Sequence, residues 1–148
     1  MVGQGQEIIL ELPDRCLAVF VDDTGHEDFP EGHPVYGLGG CAALSRDLER
    51  LIERPWKEVR RRVKGSPDAQ LHANKFARNP KTEDVQAVAR FFREPFWRFG
   101  AVLTKETQCN LPDEIGRIRV MKGILQKRLE EIVQRTLCKE VKVIFEAS

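Results

Sequence analysis

A chain of 148 residues has room for one domain with a substantial core and not for two. With 41% hydrophobic and 32% charged residues and a formal net charge of +1, the composition is that of a globular protein, with no global field for or against a polyanion. No run approaches eighteen apolar residues and the first residues lack a basic start and a long apolar stretch, so the expectation is a cytoplasmic protein with neither signal peptide nor membrane partner.

In chain order, Glu7 to Leu12 reads as a short strand, closed by Pro13-Asp14. Arg15 to Val21, "RCLAVFV", is a nearly continuous apolar run that suits a strand buried on both faces. Thr24 to Pro34, with two glycines and two prolines, predicts a loop. Val35 to Leu44, "VYGLGGCAAL", predicts a second strand, paired with the first as a long-looped hairpin. Ser45 is placed to cap a helix carrying Leu48, Leu51, Ile52, Trp56, Val59 and Val63 at helical spacing, with a kink or break at Pro55. Gln70 to Pro80 has no clean period and reads as irregular. Thr82 is placed to cap a helix to about Arg93, Trp97 to Thr104 reads as a strand, and Asp113 to about Leu137 as the longest helix. Val141 to Phe145 is the last strand, followed by Glu146. Helices between strands imply crossovers and a sheet that is partly parallel, within a single domain over 1–148.

The first and last of the apolar strands share a design: "AVFVDD" and "VKVIFE" each place carboxylate where a buried strand ends. In open α/β sheets that end is where ligands bind. If the two strands are neighbours, Asp22 and Glu146 come together, and close carboxylates need a neutralising cation. Oxygen donors completed by water suit Mg²⁺ or Mn²⁺, which can activate water and stabilise an in-line phosphoryl displacement. The competing reading is that strands end at the surface and surfaces are acidic. Asp23 also has good turn chemistry in Asp-Thr-Gly, and alternation lets only one of Asp22 and Asp23 face a given side.

"FVDDTG", the apolar "YGLGGCAAL" and the later "LHANK" resemble domain of unknown function 3800, a family similar in outline to the ribonuclease H-like metal-dependent nucleases. The resemblance runs from Arg15 onward. It implies a ribonuclease H-like mixed β-sheet with flanking helices and a divalent-metal-dependent nuclease or phosphodiesterase. It aligns Asp22 with the leading acid of the first strand, Asp23, Thr24 and Gly25 with the family's Glu, Ser and Gly, and Leu71 and His72 with a middle motif. Glu146 matches an acid at the end of a later strand. The implied roles are Asp22, Asp23 and Glu146 at the metal, with Asp22, Glu146 and His72 catalytic and Lys75 and Arg61 on the substrate, a nucleic acid. Two departures stand out: the middle motif's acid falls on the neutral Gln70, and the family's helix beyond the late acid, with its further Asp, has no counterpart before Ser148, so the domain is expected to be shortened at its C-terminus.

Other clusters are less specific. Residues 1–34 hold eight acids against one base, and residues 46–64 eight bases against four acids. "WKEVRRRVKG" offers phosphate-neutralising charge, but three consecutive arginines cannot share one helix face, and bases at a helix C-terminus are favourable in themselves. His26 and His33 flank an acidic loop, where histidines are usually just solvated. The four cysteines have no C-x-x-C spacing, which argues against a cysteine zinc site and for a reduced compartment. Two rivals to the nuclease reading are a non-catalytic interaction module on the same fold, favoured by Gln70, and a homodimer with the long helix pairing across a two-fold.

Overall fold

The computed structural model describes residues 12, 13, 15–25, 31, 32, 34–104 and 114–145, leaving aside the side chains of Asn74 and of residues 114–118. The chain builds β1 (Cys16–Gly25), β2 (Val35–Leu44), α1 (Ser45–Leu48), a π-helical turn (Glu49–Glu53), α2 (Arg54–Lys64), α3 (Ala73–Arg78), α4 (Thr82–Phe91), β3 (Trp97–Thr104), α5 (Glu114–Arg135) and β4 (Glu140–Phe145). The architecture is α/β, a four-stranded mixed open sheet in the order β3-β2-β1-β4 with flanking helices. β1 pairs antiparallel with β2 and β2 antiparallel with β3, while β4 lies parallel to β1. β1, β3 and β4 therefore all run the same way, and α5 carries the chain from one edge of the sheet to the other.

β1 is central, and its composition explains why. Cys16, Leu17, Ala18, Val19 and Val21 are all at most 2% exposed. Alternation divides them between two cores. Ala18, with Ala43 of β2, packs with Leu48, Leu51, Ile52, Val59, Phe91 and Phe96, under α1, the π turn, α2 and α4. Leu17, Val19 and Val21 pack on the other side with Leu125 and Ile132 of α5. Each such aliphatic side chain contributes roughly 1.5–3 kcal/mol relative to exposure. The first core is finished by rings: Phe91 lies 5.0 Å from Trp56 and 4.9 Å from Phe96, centroid to centroid. Met121 of α5 is fully buried against Ala101 and Leu103, late in β3. The start of α5 therefore lies toward the carboxyl end of the sheet.

Several expected boundaries shift for identifiable reasons. β1 does not stop at Val21 but stays paired with β2 through Gly25, so Thr24 and Gly25 belong to the strand and not to a loop. The expected break at Pro55 is a π-helical turn just before it, with Arg54 N–H bonded to the Glu49 carbonyl. A proline ring clashes with the carbonyl four residues back, and a wider turn relieves that clash. Ser45 is the first helical residue and not the cap; its hydroxyl donates to the Pro13 carbonyl at 2.9 Å, tying α1 to the approach of β1. Lys81, not Thr82, holds the capping position of α4. α3 forms within the stretch expected to be irregular, because six residues are too few to show a period. The expected strand from Glu7 lies outside the described residues except for Leu12, which is not in a strand and packs against the first core. Among the described residues no helix is long and apolar enough to cross a membrane.

Glycines of β2 separate packing from vacancy. A Cβ on Gly40 would fall onto the Phe20 carbonyl oxygen and come within 2.9 Å of the Phe99 ring, whereas a Cβ on Gly39 would meet nothing nearer than the Phe99 carbonyl at 3.4 Å. Gly40→Ala is expected to cost about 1–3 kcal/mol in chemical denaturation. Gly39→Ala should stay within about 0.5 kcal/mol of the parent.

Candidate functional site

The two acids of "FVDDTG" sit where the sheet narrows. The β1–β4 ladder ends at Val21 opposite Phe145, while the β1–β2 ladder continues to Gly25 opposite Tyr36. Asp22 is thus the first β1 residue past the β4 pairing, and Asp22 to Gly25 are all exposed. Asp22 has the parity of Ala18 and Phe20, on the face covered further down by α1, α2 and α4. Asp23 has the parity of Val19 and Val21, on the α5 face. The structure therefore puts the two carboxylates on opposite faces of the sheet. One oxygen of Asp22, Oδ1, accepts a hydrogen bond from the Asp23 backbone N–H at 2.9 Å, which fixes the side chain close to its own strand.

Across the sheet from Asp22, on its own face, the next positions are Gly39 of β2 and Gly100 of β3. Neither has a side chain, and a Cβ on Gly100 would meet only the Leu38 carbonyl, at 3.7 Å. The row beyond it holds Thr24, Gly37 and Val102, the last 60% exposed. The result is a flat, largely open floor beside the Asp22 carboxylate, left bare because the α1–α4 layer packs lower on the sheet.

The remaining expected site residues are dispersed. Glu146 lies outside the described residues, as do His26 and His33; Phe145, immediately before Glu146, is the residue opposite Val21. His72 occupies the capping position of α3, and Lys75 lies in its first turn, its backbone N–H bonded to the His72 carbonyl at 3.1 Å. Both side chains are exposed, and neither shares a hydrogen bond or ion pair with Asp22. Gln70 is exposed in the segment between α2 and α3. Among the described residues no group of three or more His, Cys, Asp and Glu could hold a metal ion.

Arg61 belongs to a different feature, a cleft of about 430 Å³ between α2 and α4. Arg54, Arg61, Arg62 and Arg90 rim it, with Glu58 and Glu94, over a floor that includes Val59 and Phe91. Much of that charge is already compensated. Glu58 accepts from Arg61 at 2.6 Å and from Arg62 at 3.1 Å, and Arg54 pairs with Glu49 at 3.2 Å. The Arg62 hydrogen bond, with help from Arg61, holds the Glu58 carboxyl below the usual carboxylate range. The three consecutive arginines divide as helix geometry requires: Arg61 and Arg62 stay exposed, while the Nε of Arg60 is buried without a hydrogen-bond partner among the described residues.

One acid-bearing position toward this end of the sheet carries no motif. α5 opens at Glu114, two helical turns before Met121, whose packing on Ala101 and Leu103 places that turn beside late β3. A lone Glu at the start of a helix reads from sequence as favourable dipole chemistry. Its place in the fold becomes visible only once α5 is laid on the sheet. Comparison of the chain with protein-family models, with curated proteins and with solved structures returns no match of any kind.

Burial pushes the Cys41 thiol above its ordinary range. A thiol whose pKa is raised by folding leaves stability intact below the unfolded value and lowers it as pH climbs past that value. The unfolding free energy should therefore decline between about pH 8 and pH 10, and less steeply in Cys41→Ala. Native Cys41 should also alkylate far more slowly than the same residue in the denatured chain.

Proposed function

We propose that the chain is a divalent-metal-dependent phosphodiester hydrolase of nucleic acid, built on a ribonuclease H-like sheet, with Mg²⁺ or Mn²⁺ held by Asp22 and Glu146. The observation that carries the reading is the parallel, in-register pairing of β1 and β4, with Val21 opposite Phe145. Asp22 is the residue after Val21 and Glu146 the residue after Phe145 in the sequence, which supports a shared cation as the reading of the two acids. The strand order β3-β2-β1-β4 and the crossover helix α5 between β3 and β4 support the ribonuclease H-like assignment. So does the resemblance to domain of unknown function 3800.

The donor chemistry fits a hard cation. Asp22 is exposed, and among the described residues the Asp23 N–H on Oδ1 is its one hydrogen-bond partner, which leaves Oδ2 for a metal. Asp23, on the opposite face, acts as the anchor of the Asp22 carboxylate and not as a ligand of the same ion. When bound, the ion supplies Lewis acidity and a lowered water pKa at a phosphodiester. The chain's own part is to hold the two carboxylates and to offer the open floor of Gly39 and Gly100 to a sugar or base. His72, Lys75 and Arg61 serve as substrate contacts further along the chain. The neutral Gln70, where the resemblance has an acid, favours one rival: a non-catalytic interaction module on this fold.

Calorimetric titration with Mn²⁺ and Mg²⁺ separates them. Saturable binding is expected, weakened at least about tenfold in Asp22→Asn and unchanged in a folded Asp23→Ala variant in which the backbone N–H is kept. Cleavage of single- or double-stranded nucleic acid should then depend on the metal and vanish in Asp22→Asn. A parent chain that binds neither ion makes the interaction module the correct reading.

A further inference from the structure

Among the described residues the sheet has two edges, and only one of them is covered. β3, at one end, lies under α5, with Ala101 and Leu103 buried. β4, at the other, has β1 as its single neighbour among the described strands. On the α5 side β4 presents Val141, Val143 and Phe145, aligned with the buried Leu17, Val19 and Val21 of β1. They are nonetheless 42%, 40% and 62% exposed, because α5 packs over the other strands and does not reach them. Leu137, just before the strand, is 81% exposed. An apolar row on an unpaired strand edge is a template for another strand, and natural edges are normally blunted by charge. Here the two charges of the strand, Glu140 and Lys142, are of opposite sign and lie on the other face, both exposed.

That charge order is self-complementary in one register. When two copies of β4 pair antiparallel about Val141, Glu140 of each copy stands opposite Lys142 of the other, twice over. Val141 meets its counterpart, and the ladder spans Glu140 to Lys142 of each copy, because β4 begins at Glu140. Moving the two-fold to Lys142 sets lysine against lysine and Glu140 against Ile144. Moving it to Val143 leaves Lys142 opposite Ile144. Opposite charges directly across a ladder stabilise and like charges destabilise, so the register about Val141 is the one the strand's charges select.

We propose that β4 is a homodimer interface: two copies join edge to edge, antiparallel about Val141, into one eight-stranded sheet, with the two Val141 side chains side by side at the two-fold. The two-fold is isologous, as closed dimers require. This interface is the edge of β4 and not the surface of α5, and it does not depend on the metal reading.

Sedimentation equilibrium of the 148-residue chain tests it, with Glu140→Lys, Lys142→Glu and the double exchange Glu140→Lys/Lys142→Glu. The parent should dimerise reversibly. Each single reversal should weaken the dimer by at least about tenfold, because it turns two attractive pairs into two repulsive ones. The double exchange should restore association, which a merely structural role would not do. The positions are exposed, so the variants should fold; matching circular dichroism checks that. An equimolar mixture of the two single variants should form a heterodimer. A parent that is monomeric at every concentration overturns the proposal. So does a dimer indifferent to the reversals, which would place the two-fold on α5 or elsewhere.

Discussion

Everything in this fold is referred to β1. It is paired on both sides along most of its length, its side chains belong to both cores, and five of its residues are at most 2% exposed. That double burial fixes register. A one-residue slip would exchange Leu17, Val19 and Val21 with Cys16, Ala18 and Phe20 between an α5 face that takes large aliphatics and a face where Ala18 sits among Leu48, Val59 and the Phe91 rings. The close approach of Gly40 to the Phe20 carbonyl fixes the same register from the other side of the β1–β2 ladder.

The acids inherit their geometry from that strand. Asp22 does not mark the end of β1, since pairing with β2 runs three residues further; it marks the end of pairing with β4. A carboxylate there is exposed on a strand whose backbone is held by its β2 partner, a rigid placement without burial. Burial would have cost several kcal/mol for an unpaired charge. The glycines across from it keep its flank open while the strands themselves stay paired.

The legible parts were those where one residue pattern answers to one structural cause. "RCLAVFV" reads as a doubly buried strand because six apolar residues in a row, Cys16 to Val21, are of strand length, and β2, β3 and the α5 stripe follow the same logic. The partly parallel sheet followed from helices lying between strands. Caps were misread at Ser45 and Thr82 because a hydroxyl can satisfy a distant carbonyl as readily as its own helix, and Ser45 bonds Pro13, 32 residues away. Which of Asp22 and Asp23 faces which core depends on tertiary packing of α5, which no local pattern encodes. The spacing of His72 and Lys75 brought them to α3 and not into contact with Asp22 for the same reason.

The two uncovered regions have one origin. α5 runs from late β3 toward the start of β1, with Met121 on Ala101 and Leu103 and Ile132 in the cluster of Leu17 and Val19. A helix of 22 residues laid on that line covers three strands and cannot also cover the fourth. On the opposite face, α1, α2 and α4 converge on Ala18 and Ala43, near the start of β1, and so leave its carboxyl end bare. Among the described residues, the open floor beside Asp22 and the apolar row of β4 are therefore two places where helices of fixed length fail to tile the sheet. The first, rimmed by carboxylate and floored by glycine, suits a polar ligand. The second, with its row of Val141, Val143 and Phe145, suits another strand.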